Sequence, residues 1–122
     1  MIQNQEYKKK LIARGITLGR KTILLIDRFP NKKSAWVIAD QLLRASTSVG
    51  ANISEAQAAA SKKDFINFLN YSLKSANETK FWLILSKDLS NILVNDINIL
   101  LSETIELSNI LGSSIKKLKN IE

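Results

Sequence analysis

A single proline, Pro30, stands in a chain whose apolar residues otherwise recur three and four positions apart over long, glycine-poor stretches. Strands alternate with a period of two and need turn residues at short intervals, and neither pattern repeats here, so the sequence reads as long helices throughout. Ahead of Pro30, Leu11, Leu18, Ile26 and Phe29 fall near helical spacing, with Ile12, Ile16 and Ile23 widening the stripe, which predicts a helix over 5–29. A second seam, Ile38, Leu42, Ala45, Val49, Ile53 and Ala56, predicts a helix over 34–60 with Ser34 as its N-cap. The third helix, 62–88, opens on Ser-Lys-Lys-Asp, where Ser61 as cap and Asp64 three residues on form a capping box with Asp in place of Glu. Its seam is Phe65, Leu69, Ser72, Ala76, Thr79 and Leu83, with Lys80 and Lys87 expected to face water. A fourth, 96–119, carries Ile97, Leu100, Thr104, Leu107, Leu111 and Leu118, and Gly112 is expected to weaken it or end it early.

Four such segments joined by short connections describe an all-α, antiparallel up-down-up-down four-helix bundle that fills one domain, 1–122. Trp36, Ile99, Ile105 and Ile110 lie off the main seams, more apolar surface than a monomeric bundle needs, so part of it is expected to meet other subunits. Gly15 and Gly19 sit one turn apart on the apolar side of the first helix, where a close helix crossing would offset their poor helix propensity.

The chain contains no Cys and no His, which excludes disulfides, Cys/His zinc sites, thiol nucleophiles and imidazole-based catalysis. Glu55, Asp64 and Glu78 are the carboxylates to weigh for a metal or for acid-base work. Without His, however, the Glu-x-x-His pattern of ferritin-like sites is impossible, and structural roles for the three fit better. No cofactor and no enzymatic activity are expected. The longest uncharged run, Ala45–Ser54, is too short to span a bilayer, which needs ~20 apolar residues, and Met1–Leu11 lacks an apolar signal core. A cytoplasmic protein without a membrane partner is expected.

The net charge of +7 is unevenly placed: residues 1–33 hold nine Lys or Arg against Glu6 and Asp27, whereas residues 34–122 hold nine of each sign. At 100° per residue, Lys10, Arg14, Lys21 and Arg28 fall on one stripe opposite the apolar arc. With Lys32 and Lys33 at the connection, they are the candidate nucleic-acid-binding residues, suited to phosphate contact. Tyr7 is the one aromatic residue before Phe29, so base stacking is poorly supported.

The stretch Arg44-Ala-Ser-Thr-Ser-Val-Gly-Ala-Asn-Ile-Ser-Glu-Ala56 is unusually polar and small for a helix interior. Helical geometry puts Arg44, Ser48 and Glu55 on one stripe and Ala45, Val49, Asn52 and Ala56 on the next, with Gly50 and Ala51 permitting a close neighbour. Ser46, Thr47 and Ser48 can return hydrogen bonds to carbonyls one turn back, and an Arg44–Glu78 pair to the third helix is expected. Gln41–Leu83 resembles the four-helix-bundle family typified by the 23S rRNA-intervening-sequence protein. The shared pattern is an Arg (Arg44), Ser-x-Ser (Ser46, Ser48), Gly-Ala-Asn (Gly50, Ala51, Asn52), Glu-Ala (Glu55, Ala56), Ser-x-x-Asp-Phe (Ser61, Asp64, Phe65) and Glu-Thr followed by an aromatic pair and Leu (Glu78, Thr79, Phe81, Trp82, Leu83). Looser features extend the resemblance from Tyr7 to Leu118. Ser75 departs from it, since members often carry Glu there, and Gly50 and Ala56 select the Gly-Ala-Asn branch over one with Pro and Gly at those places.

The resemblance implies a ring-like homopentamer. It also points to two partners: RNA, through members encoded inside intervening sequences of 23S rRNA genes, or a reverse transcriptase, through the accessory variability determinant of diversity-generating retroelements. Two functions are therefore carried forward. One is a non-enzymatic homo-oligomer that binds RNA or other nucleic acid through the basic stripe of the first helix. The alternative is a protein-interaction or accessory subunit with no direct nucleic-acid role.

Overall fold

The computed structural model describes residues 5–120, so residues 1–4 and 121–122 of the expected domain lie outside the described residues. Four helices run up and down in chain order: α1 (Gln5–Ile26), α2 (Lys33–Ala56), α3 (Lys62–Ser86) and α4 (Val94–Asn120), with a short 3-10 turn, Asn91–Leu93, leading into α4. Among the described residues there is no strand. All four contribute to one core in which Leu42, Val49, Ile53, Leu69, Leu83, Ile97, Leu111 and Leu118 are fully buried. The expected seams supply it: each of these residues stands on a three-four repeat. Burying one such side chain contributes roughly 1.5–3 kcal/mol.

The helix ends differ from expectation for local reasons. The first helix stops at Ile26 rather than residue 29, because Phe29 precedes Pro30 and the proline ring bars the helical conformation there. The chain closes instead with Arg28 N–H to Leu25 C=O and Phe29 N–H to Ile26 C=O, both 3.0 Å, which tucks Phe29 against the core. Ser34 is not the N-cap of α2. Lys32 N–H bonds to Pro30 C=O at 3.0 Å, turning the chain early, and Lys32 takes the cap position with no side-chain cap while Ser34 lies exposed in the first turn. The same helix ends at Ala56 instead of residue 60. Gln57, Ala58 and Ala59 donate to Ser54, Glu55 and Ala56 carbonyls at 3.0–3.1 Å, a tightened turn that reverses the chain before Ser61. The capping box of α3 forms as read: Asp64 N–H donates to Ser61 Oγ at 3.1 Å and Ala60 N–H to Asp64 Oδ2 at 3.2 Å. Helix α4 starts two residues earlier than expected and runs through Gly112, whose neighbours Leu111, Ile115 and Leu118 hold it in the core.

The glycines of α1 and the small stretch of α2 turn out to be one feature. A Cβ built on Gly15 would lie 2.6 Å from Gly50 Cα, and one on Gly50 would lie 3.0 Å from the Gly15 carbonyl carbon. The two backbones touch, which only a glycine pair allows. Gly19 meets Thr47 Cγ2 at an ordinary 3.7 Å and Gly112 meets nothing within 4 Å, so only Gly15 and Gly50 are sterically required.

The other side of the polar stretch faces α3. Ser72 Oγ, fully buried, donates across the seam to Val49 C=O at 2.8 Å, while Ser46, Thr47 and Asn52 bond back to carbonyls of their own helix. Arg44 pairs with Glu78, as expected, and the same carboxylate accepts from Trp82 Nε1 at 3.1 Å. Lys80 does not face water: it is half-buried and donates to Ser108 Oγ on α4 at 3.1 Å.

Candidate nucleic-acid interface

Antiparallel packing of α1 and α4 determines where the basic stripe goes. On α4, Asp96, Glu103 and Glu106 recur on one face, and running the helix antiparallel to α1 sets them opposite Arg28, Lys21 and Arg14 in that order. Arg14 Nη2 meets Glu106 Oε1 at 2.7 Å, Lys21 Nζ meets Glu103 Oε1 at 2.5 Å and Arg28 Nη1 meets Asp96 Oδ2 at 2.6 Å. Three of the four stripe cations are thus engaged with carboxylates of the neighbouring helix. Their side chains remain substantially exposed, so each pair contributes only about 0–1 kcal/mol, and the ladder steers charge more than it stabilises.

Between these rungs the α1–α4 seam stays open. One cleft lies beside Arg14, Glu103 and Glu106; a second, of about 220 Å³, is floored by Leu24, Leu25, Ile99 and Leu100 and flanked by the Lys21, Arg28 and Asp96 charges. Lys10, the fourth stripe residue, is exposed and has no ion pair among the described residues; the same holds for Lys32 and Lys33, at the other end of α1.

Lys10 belongs to a group that the one-helix reading missed. Tyr7 OH shares a hydrogen bond with Ser114 Oγ, joining the start of α1 to the end of α4, and Lys8 Nζ sits 5.7 Å from the Phe65 ring centroid, joining it to the start of α3. This gathers Lys8, Lys9 and Lys10, Lys62 and Lys63, and Lys116, Lys117 and Lys119 at one end of the bundle. The carboxylates within six residues of that end among the described residues are Glu6, Glu55 and Asp64. The opposite end mixes signs, with Arg28, Lys32, Lys33 and Lys87 among Asp27, Asp40, Asp88 and Asp96. Among the described residues it also carries most of the exposed large apolar side chains. Ile23, Leu24, Trp36, Val37, Phe81, Ile84, Leu85, Ile92 and Ile99 all lie there, while none of that class occupies the final six residues of any helix at the lysine-rich end. The signal was available in the sequence: in an up-down-up-down bundle, the starts of the first and third helices share an end with the finish of the fourth.

The carboxylates weighed for catalysis are dispersed. Asp64 serves the α3 cap, Glu78 holds Arg44 and Trp82, and Glu55 lies exposed near the end of α2. Among the described residues no group of three acidic side chains is placed to hold a metal ion, and no helix is long and apolar enough to cross a membrane.

The family model described as 23S rRNA-intervening sequence protein matches residues 8–113, nearly the whole bundle. The chain belongs to the 23S rRNA-intervening sequence protein family. No curated protein matches it. Among solved structures, it is similar to a protein of unknown function from the S23 ribosomal protein family of Bacteroides thetaiotaomicron VPI-5482, with 34% identity, a TM-score of 0.81, and coverage of 89% of this chain and 97% of that one. The matched span of the intervening-sequence family contains the whole 44–83 motif, including the Gly50 contact, the Arg44–Glu78 pair and the α3 cap.

Proposed function

We propose that this member of the 23S rRNA-intervening sequence protein family is a non-enzymatic homo-oligomer that binds the phosphate backbone of RNA or other nucleic acid. The observation that carries the proposal is the gathering of eight lysines from three helices at one end of the bundle. Ammonium groups on flexible stems suit phosphates without reading sequence, and each phosphate neutralised steepens the dependence of affinity on salt. Lys10 is the stripe residue that belongs to this surface, while Arg14, Lys21 and Arg28 contribute once their α4 carboxylates are displaced; Lys32 and Lys33 are unpaired but stand at the far end. Self-association is supported by the nine exposed apolar side chains at that far end, and the pentamer implied by the family resemblance is the assembly we propose. Repetition around such an assembly multiplies weak contacts into firm binding.

The test is binding of a structured RNA between about 50 and about 300 mM salt, for the wild type, for a Lys8→Ser/Lys9→Ser/Lys10→Ser/Lys116→Ser/Lys117→Ser variant, and for Arg14→Ser/Lys21→Ser/Arg28→Ser. The lysine-end variant should lose affinity and salt slope most. Binding that ignores both salt and these substitutions rejects the proposal. The apolar end favours a second reading, a protein-interaction or accessory subunit, for instance of a reverse transcriptase, with no direct nucleic-acid role. That reading gains if RNA fails to bind at low salt while Leu24→Ser/Ile92→Ser/Ile99→Ser abolishes capture of a partner polymerase.

A further inference from the structure

At the lysine-rich end, the first turns of α3 and the last turn of α4 flank an open cleft of about 340 Å³, lined by Lys62, Lys63, Ile66, Asn67, Asn70 and Lys119. Its size falls at the lower bound of small-ligand sites, about 300–1,000 Å³. The five α3 residues share one helix face by their spacing. The polar groups in it are uncommitted: among the described residues, none of the three ammonium groups has an ion pair, and neither Asn amide makes a side-chain hydrogen bond. The other two clefts differ, because each of their cations already faces a carboxylate. Asp64, the carboxylate on this stretch of α3, is turned to the cap, where its Oδ2 accepts Ala60 N–H.

We propose that this cleft seats one phosphate of an RNA strand together with the adjoining ribose. The proposal rests on the reading of the lysine-rich end as a nucleic-acid surface and gives it a discrete subsite. Lys62, Lys63 and Lys119 are donors only, matched to phosphate oxygens. The amides of Asn67 and Asn70 offer both donors and acceptors, so a bare anion would leave their carbonyl oxygens unused, whereas a ribose 2′-hydroxyl both donates and accepts. Ile66 supplies an apolar wall for the sugar. The cleft should therefore discriminate ribose from deoxyribose, which lysines alone do not.

The experiment is a backbone-amide chemical-shift titration of the full chain with adenosine 5′-monophosphate, 2′-deoxyadenosine 5′-monophosphate, adenosine and inorganic phosphate. The ribonucleotide should shift residues 62–70 and those around Lys119, the deoxynucleotide should bind several-fold more weakly, and adenosine should leave them unmoved. Lys62→Ser/Lys119→Ser should weaken the ribonucleotide by about tenfold or more. Asn67→Ala/Asn70→Ala, with the rest of the spectrum intact, should erase the preference for ribose while leaving phosphate binding. A ribonucleotide response spread evenly over all eight lysines, or equal response to the two sugars, overturns the assignment. Running structured-RNA binding on the same samples separates the two readings: RNA bound with the cleft silent overturns the subsite alone, and structured RNA unbound overturns the broader nucleic-acid reading and the RNA strand as occupant with it, even where the cleft takes the mononucleotide.

Discussion

Substituting Gly15 by Ala adds one methyl group at the point where α1 and α2 meet backbone to backbone. The new Cβ would lie 2.6 Å from Gly50 Cα, about 1 Å inside the roughly 3.5–4.0 Å separation at which two carbons attract. The obstacle is main chain, which cannot swing away as a side-chain tip does, so the two helices must separate. Alanine favours the helix over glycine by about 1 kcal/mol. Overpacking of a tight interior costs about 1–3 kcal/mol, and separating two helices belongs at the upper part of that range. The net expectation is a loss of about 1–2 kcal/mol, seen as a fall in melting temperature of roughly 4–8 °C for a domain of this size. Gly112→Ala supplies the control, since nothing lies within 4 Å of its new Cβ and the propensity gain of about 1 kcal/mol stands alone. Gly19→Ala, against Thr47 Cγ2 at 3.7 Å, should also stabilise, by up to about 1 kcal/mol. Thermal and urea unfolding of the three variants at one protein concentration reads the signs directly. If Gly15→Ala were as stable as Gly112→Ala, the backbone contact would not constrain the bundle and the reasoning would fail.

Other outcomes follow from single interactions. Ser72→Ala should cost about 1 kcal/mol in urea unfolding, because the Val49 carbonyl loses a buried partner from the neighbouring helix; no measurable change would remove that bond from the specification of the α2–α3 seam. Ser61→Ala should also cost about 1 kcal/mol and speed hydrogen exchange of the Asp64 amide, which the cap otherwise holds. The triple change Asp96→Asn/Glu103→Gln/Glu106→Gln should lower stability by no more than about 3 kcal/mol, since the three pairs are exposed, while raising RNA affinity at low salt through the freed Arg14, Lys21 and Arg28. Unchanged affinity in that variant would place the ladder outside the contact surface.

Legibility in the sequence followed the range of the interaction. Core positions such as Leu42, Leu69, Leu83 and Leu111 were readable because a helix's buried face repeats in the sequence itself. The Ser61–Asp64 cap was readable because both partners lie within one turn. Lys32 displacing Ser34 at the start of α2 was not, since it depends on how Pro30 turns the chain three-dimensionally. The Arg44–Glu78 pair followed from a motif on two helices already known to be neighbours. The basic stripe illustrates the opposite case. The four cations share one face of α1 by their spacing, but Arg14, Lys21 and Arg28 border the buried Leu18 and Leu25 instead of lying opposite the apolar arc, and Ile16 and Ile23 are exposed. The charge of a helix face is decided by what packs beside it, and the carboxylates that answer these three lie far along the chain on α4. Reading the antiparallel register of α1 against α4 would have found them. The eight-lysine end required knowing which termini share an end, a property of topology and not of any one segment.

The contact between Gly15 and Gly50 also bears on how the bundle opens. Where it is tightest, α1 is gripped by α2; elsewhere its neighbour α4 holds it through the Tyr7–Ser114 hydrogen bond, solvent-exposed ion pairs and across two open clefts, the thinnest of the helix seams. A helix fastened near its middle and loosely along one flank frays from both ends toward the fastening. Native-state exchange should therefore show α1 as the least cooperative part of the fold, its protection peaking near Gly15, while α2 and α3, joined along the most extensive seam, exchange only with global unfolding.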